Sequence, residues 1–166
     1  AVRLGNGVGG LGPKVEYPSG SGANSLVAVD VNGDGFLDLA TANGSSRTVS
    51  VLLGRGDGTF TINVDFSAGV EPWGIVSGHL NGDSYVDFAT ADYFQNTASV
   101  LFGVGDGTFS ALATFATGDG PRSISAGDFD GDGRQDIAVG CYGHPGTFDP
   151  PGNTVSVLIA EGQSGF

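Results

Sequence analysis

The sequence is short of the residues that would place it quickly. It has no methionine and a single cysteine, Cys141, and one thiol cannot build an internal disulfide framework. Basic residues are scarce too, six against eighteen acidic, for a net charge of −12. Nucleic-acid recognition needs a basic footprint, and anionic membrane surfaces attract polybasic segments, so neither partner is expected. No apolar run approaches the ~20 residues of a spanning helix, so membrane insertion is not expected either. The missing initiator and the lack of a signal peptide read as a processed chain or a fragment. Catalytic patterns are equally thin. No nucleophile elbow, HExxH pair, phosphate loop or paired-cysteine motif occurs, and the two histidines, His79 and His144, follow no catalytic spacing.

Glycine is abundant, 31 of 166 residues, yet 39% of the chain is apolar, with eleven Phe, four Tyr and one Trp. That is enough for one domain that buries roughly 70% of its unfolded surface. The excess of acid suits cations.

An internal repeat organises the chain. "SVLLGRGDGTF" at 50–60 returns as "SVLFGVGDGTF" at 99–109, an offset of 49. "AVRLGNGVGGL" at 1–11 is a weaker copy at the same offset, and "SVLIAEGQSGF" at 156–166 follows after 57. The eight extra residues fall in a Pro/Gly-rich insertion at 141–152, "CYGHPGTFDPPG". Three acidic segments keep the same ruler: "DVNGDGFLD" at 30–38, "HLNGDSYVD" at 79–87 and "DFDGDGRQD" at 128–136. The repeats run approximately 11–59, 60–108 and 109–166, within one repeat domain.

Each repeat reads as four short strands bounded by Gly/Asn/Asp turns. Strand A is expected at 25–31, 73–80 and 122–129, and strand B at 37–42, 86–91 and 135–140. Strand C is expected at 48–54, 98–103 and 154–160, and strand D at 60–69 and 109–118, with 11–20 as its first copy. No segment sustains a helical period. The fold class is all-β, with four antiparallel strands per unit of a length typical of β-propeller blades, about three in this chain. A β-sandwich is the competing reading, but it does not require so regular a repeat. Propellers typically close with four to eight blades, so a partial propeller, part of a larger chain, or a homo-oligomer is expected. In the oligomer, residues 11–20 would complete a neighbour's third blade by strand addition.

The acidic segments have the spacing of a cation loop. A hard cation such as Ca²⁺ takes six to eight oxygens, and alternate side chains of a tight loop can converge on one point. In the third segment Asp128, Asp130, Asp132 and Asp136 supply carboxylates and Arg134 a backbone carbonyl. In the first the same places hold Asp30, Asn32, Asp34, Asp38 and the Phe36 carbonyl. In the second they hold Asn81, Asp83, Asp87 and the Tyr85 carbonyl, but His79 stands at the first place and Ser84 replaces glycine. Imidazole is a poor ligand for Ca²⁺, so the reading is two strong Ca²⁺ sites and a third left open. The twelfth place is Thr41 or Val139, so these are not EF-hand loops, which need an acid there between two helices. The bland alternative is a set of Asx turns with solvated carboxylates.

These loops, together with the "GDGTF" turns after strand C, resemble the FG-GAP/VCBS-type repeats of integrin α-like propellers. The resemblance covers almost the whole chain and departs from the pattern at His79 and Ser84. It implies a propeller with Ca²⁺ in the A–B hairpins, in a family that includes lectins, adhesion modules and some polysaccharide-acting enzymes.

Hairpin order puts the A–B loops and "GDGTF" turns on one face and the D–A and B–C connections on the other. The second face collects Trp73, Tyr93, Gln95, Arg122, Tyr142 and His144 as candidate ligand-binding residues, since rings beside polar groups suit sugar stacking or protein contact. The competing reading is local packing, above all for Trp73. "RGD" at 55–57 aligns with "VGD" at 104–106 and reads as a turn. The functional expectation is a secreted or cell-surface, calcium-stabilised, non-catalytic module that binds carbohydrate or a surface protein. The alternatives are a self-assembling structural module and a propeller fragment of a polysaccharide-acting enzyme.

Overall fold

The computed structural model describes residues 1–144 and 153–160, apart from the side chain of residue 111. Residues 145–152 of the expected insertion, and 161–166 of the last repeat copy, lie outside the described residues. Those described form an all-β structure of eleven strands without a helix, so none contains a helix able to cross a membrane.

The first sheet holds β1 (Ala23–Val29), β2 (Asp38–Asn43), β3 (Thr48–Leu52) and β4 (Val64–Ser67) in that order. The second holds β5 (Pro72–Gly78), β6 (Asp87–Asp92), β7 (Thr97–Gly103) and β8 (Phe109–Ala116). The third has three strands, β9 (Pro121–Gly127), β10 (Asp136–Cys141) and β11 (Thr154–Leu158). All neighbours are antiparallel, and each sheet is a plain meander. The strands match the expected A, B, C and D. The A strands end two residues early because the acidic loops begin there. The first D strand is shorter than expected, with only the isolated bridge Gly54–Phe60 ahead of it.

The N-terminal segment keeps the pairing that its offset of 49 implies. Val2 bridges Val15 and Gly5 bridges Leu11. Adding 49 to each number gives Val51–Val64 and Gly54–Phe60, which are also paired. Residues 2–15 are therefore the C–D half of a further unit, in the same register. Tyr17 then packs edge-on against Phe60, 5.4 Å between centroids, and Gly20 N donates to Ser50 Oγ.

The sheets pack face to face in chain order through two apolar cores. Val49, Val51, Ile75, Phe88 and Leu101 fill the first, between sheets one and two. Leu80, Ala89, Val100, Ile137 and Val139 fill the second, between sheets two and three. The central strands are buried on both faces, and β6 is buried at every residue. That explains their near-continuous apolar or small composition, where a half-exposed strand would alternate. The three sheets do not close on themselves.

One buried polar position repeats with the same ruler: Asn43, Asp92 and Cys141. Gly20, Gly69 and Gly118 each lie against it so closely that a Cβ would meet that side chain within about 3 Å. Asn43 donates to Thr48 Oγ1 and Ser50 Oγ and accepts from Thr41. Asp92 accepts from Thr90, Thr97 and Ser99. Burial raises its carboxyl from the ordinary 3.8 to about 6, against these hydroxyl bonds that pull it down.

A carboxyl with a raised folded pKa contributes stability while protonated. That contribution is complete below about pH 3.8 and lost as pH rises through 6. Asn43 shows that an amide fits the same hydroxyl cluster without charge. Asp92→Asn is expected to stabilise the protein by about 1–3 kcal/mol at pH 7.5. The gain should shrink as pH falls from 6 to 4, in urea denaturation at both ends. An equal gain at both ends would contradict the burial argument.

Candidate functional site: acidic loops and an arginine-aromatic cluster

The acidic loops sit where strand A turns into strand B, and their shape comes from the first aspartate. Asp30 Oδ1 accepts the amides of Asn32 and Gly33, and Oδ2 that of Gly35. Asp128 does the same for Gly131 and Gly133. The bends need left-handed backbone at Gly33 and Gly35 (φ 73° and 85°) and at Gly131 and Gly133 (83° and 88°), which glycine adopts without a steric penalty. The Gly35 amide leads the bonds that hold the Asp30 carboxyl below its ordinary range.

In the third loop Asp128, Asp130 and Asp136 bring one carboxylate oxygen each within 4.8 Å of one another. Asp132 is engaged otherwise. It pairs with Arg134 Nη2 and accepts the Arg134 amide, while Arg134 Nε donates to Ala160 O. In the first loop Asn32 Nδ2 donates to Asp34, and Asp34 Oδ1 accepts the Phe36 amide. The Phe36 ring lies over the C–D turn at Gly56.

The ninth residue differs from the others: Asp38, Asp87 and Asp136 are almost fully buried. Asp38 Oδ2 accepts Val31 N at 2.9 Å and Oδ1 accepts Gly54 N at 2.7 Å. Asp87 accepts Leu80 N and Gly103 N, each at 2.8 Å. Asp136 accepts Phe129 N and Ala160 N at 2.8 and 2.9 Å. Each carboxylate thus ties the second residue of its own loop to the end of strand C. Burial raises the carboxyls of Asp38 and Asp87, and the two amide bonds oppose the shift.

The middle loop is built another way. His79 Nδ1 donates to Tyr85 O at 2.8 Å, the carbonyl that the spacing assigns to a cation. No carboxylate stands at its first place. Asn81 and Asp83 keep the same mutual bonds as their counterparts, and Asp83 accepts the Tyr85 amide. Gln135 from the neighbouring unit accepts the His79 amide. Among the described residues the third loop is the one that gathers three carboxylates at one point; the first loop keeps the same residue types at the first, fifth and ninth places, and in the second the imidazole takes a ligand position.

On the opposite face the candidates do meet. The Arg122 guanidinium carbon lies 4.7 Å from the Trp73 ring centroid, 5.0 Å from Tyr93 and 4.3 Å from Tyr142. Tyr93 is buried, with Trp73 at 5.9 Å and His144 at 4.5 Å between centroids. Trp73 and Arg122 occupy the same repeat position in adjacent units, as do Tyr93 and Tyr142. Gln95 does not join them, because its Oε1 accepts the Val70 amide at 2.7 Å and closes its own loop. Asp119 was not singled out from the sequence. It holds His144 through Nδ1 at 2.5 Å and through the backbone amide at 3.0 Å, and this contact keeps its carboxyl low. Its only sequence signal is a place in the D–A connection of the unit that carries the insertion. In the "RGD" turn Asp57 is held by Thr59 as Asp106 is by Thr108.

The model of the FG-GAP-like repeat matches residues 30–90 and again 79–139, and the two matches are displaced by the same 49 residues as the acidic loops. The chain belongs to the FG-GAP-like repeat family. Among curated proteins, no relative matches it. Each family match starts at the first place of an acidic loop and runs past the next one. The repeat defined by the family is therefore the same unit that the buried ninth aspartates close.

Asp87→Ala leaves two buried amides, Leu80 N and Gly103 N, without acceptors. Unsatisfied buried donors cost about 1–3 kcal/mol each, so a loss of about 2–5 kcal/mol is expected by denaturant titration. Asp83→Ala, on an exposed residue of the same loop, should cost under about 1 kcal/mol. Equal losses would show that the ninth carboxylate is no clamp.

Proposed function

We propose that the chain is a calcium-stabilised, β-propeller-like module that binds rather than catalyses, and that works outside the cell on carbohydrate or a surface protein. The observation that carries this reading is the convergence of Asp128, Asp130 and Asp136 within 4.8 Å, in a loop whose place recurs at 30–38 and 79–87. The family membership supports the same assignment. Ca²⁺ would be held by these residues in the third loop, and by Asp30, Asn32, Asp34, Asp38 and the Phe36 carbonyl in the first. Its positive charge would cross-link acids that otherwise repel. The middle loop has its own cross-link in His79 and Tyr85, so two ions are proposed per chain.

Metal here is a brace. Extracellular calcium modules bind at about 10⁻⁴–10⁻³ M, so about 2 mM Ca²⁺ stabilises by about 0.6–1.8 kcal/mol per site. The ligand surface is the other face, where exposed rings at Phe94 and Tyr142 stand beside Arg122 and His144.

Self-assembly is the second reading, and one observation favours it. On β11 Val155 and Val157 are 69% and 50% exposed, whereas the corresponding Val49 and Val51 of β3, packed against the second sheet, are at most 2% exposed. An apolar sheet face left uncovered in this way suits packing against another sheet. Light scattering distinguishes it: a concentration-dependent increase in mass supports association, and a monodisperse 16.6 kDa species contradicts it.

Chelation with EDTA should lower the melting temperature by about 3–12 °C for two sites of this strength, with two Ca²⁺ per chain by native mass spectrometry. His79→Asp should raise the count to three. An unchanged melt with no bound calcium would remove the metal from this reading.

A further inference from the structure

Arg122 is held by its surroundings but not satisfied by them. Three rings enclose the guanidinium, yet rings offer π faces and no conventional acceptor. Arginine carries five N–H donors in a fixed fork. In Arg122 the Nε is sealed from solvent without a hydrogen-bond partner, as is the neighbouring Trp73 Nε1. Nη1 and Nη2 are not among the sealed atoms, so the end of the fork reaches the surface. The chain has eighteen acidic residues, yet its ion pairs among the described residues are Lys14–Glu16, Arg134–Asp132 and His144–Asp119. The carboxylate of this loop cluster, Asp119, is taken by both the ring and the amide of His144.

The fork opens on a groove of about 380 Å³, walled by Arg122 and Tyr142 and lined further by Ser123, Asn153 and Thr154. Tyr142 is 56% exposed. The groove therefore offers a positive, planar two-donor end, a free aromatic face beside it, and hydroxyl and amide groups around it. We propose that it binds a sugar bearing a single carboxylate, such as a uronic acid unit. Nη1 and Nη2 grip the carboxylate in the bidentate manner that guanidinium geometry favours, and the sugar ring lies on Tyr142. This rests on the carbohydrate reading of the same face and narrows it. The overall charge of −12 repels dense polyanions at long range, so the fit is to one carboxylate among neutral hydroxyls. The hydroxyl- and amide-lined wall favours a sugar over an acidic peptide.

The test compares a trisaccharide of one galacturonic acid unit and two neutral galactose units with its carboxyl-reduced counterpart, both against the wild-type chain at fixed Ca²⁺, by calorimetry. A charged hydrogen-bonded pair is worth about 10–100-fold in affinity, so the reduced sugar should bind that much more weakly. Arg122→Lys keeps the charge but not the fork, and should lose most of the discrimination between the two sugars. Tyr142→Ala, at an exposed ring, should weaken both sugars together. Melting curves establish that each variant is folded. Because the sugar pair is compared on the unaltered protein, the result does not depend on any variant folding. Equal binding of both sugars overturns the carboxylate inference and leaves the carbohydrate reading standing. Binding of neither overturns both. Tighter binding of an aspartate-containing peptide than of the trisaccharide keeps the fork but overturns the sugar.

Discussion

Each of the three acidic loops is closed by a carboxylate buried at its base. Asp38, Asp87 and Asp136 each accept two backbone amides, one from the start of the A–B loop and one from the end of strand C. The end of strand A and the end of strand C are thereby tied to the start of strand B, independently of the β ladder. The loop has a fixed anchor, so its first aspartate can wrap the glycine amides in a defined place. The C–D turn is anchored by the same group. Without it, two buried donors per unit would be stranded, and the loop would be free to swing away from the core edge.

The clamp also explains the division of labour within the nine-residue loop. The odd-numbered acids look interchangeable in sequence. In the structure the ninth is buried, the first is consumed by its own loop amides, and the third and fifth remain at the rim. Asp132 shows how locally this is decided: Arg134 two residues later draws it aside, where Phe36 leaves Asp34 in the loop. The middle loop goes further. His79 bridges to Tyr85 O and Gln135 reaches across from the next unit, so the loop keeps its shape with fewer acids. Such a substitution is stable because the clamp below it, Asp87, is unchanged.

Much of this was legible in the sequence because one ruler of 49 residues governs it. The ruler located the strands to within a few residues, the loops, and the two faces. It also contained the buried series Asn43, Asp92 and Cys141, though only the close glycines show that this position is a packing point. What the ruler could not give is contact between units. Trp73 and Arg122 are the same place in successive repeats, and nothing in either repeat says that one stacks on the other. That contact depends on how the sheets lean together, which the cores of Phe88 and Ile137 determine. The N-terminal half-unit showed in the ruler as a weaker copy, but not in strand periodicity. Val2, Gly5, Leu11 and Val15 make isolated bridges, too sparse a pattern for strand periodicity to register.

The two faces differ in how their charges are neutralised, and this separates support from recognition. On the loop face, acids are met by backbone amides close in sequence, a solution that repeats wherever the segment repeats. On the other face Arg122 is met by Trp73 and Tyr93 from the preceding unit and by Tyr142 from its own, and the equivalent positions one and two units earlier are Trp73 and Asn24. Asn24 donates to Pro72 O and is thereby satisfied. The position thus changes from a satisfied amide to an indole to an unsatisfied guanidinium along the chain, while the buried ninth aspartate opposite stays constant. A repeat diverges least where its own closure depends on the residue, and most where the residue faces something outside the unit. The buried carboxylates are the first kind, and the cluster around Arg122 is the second.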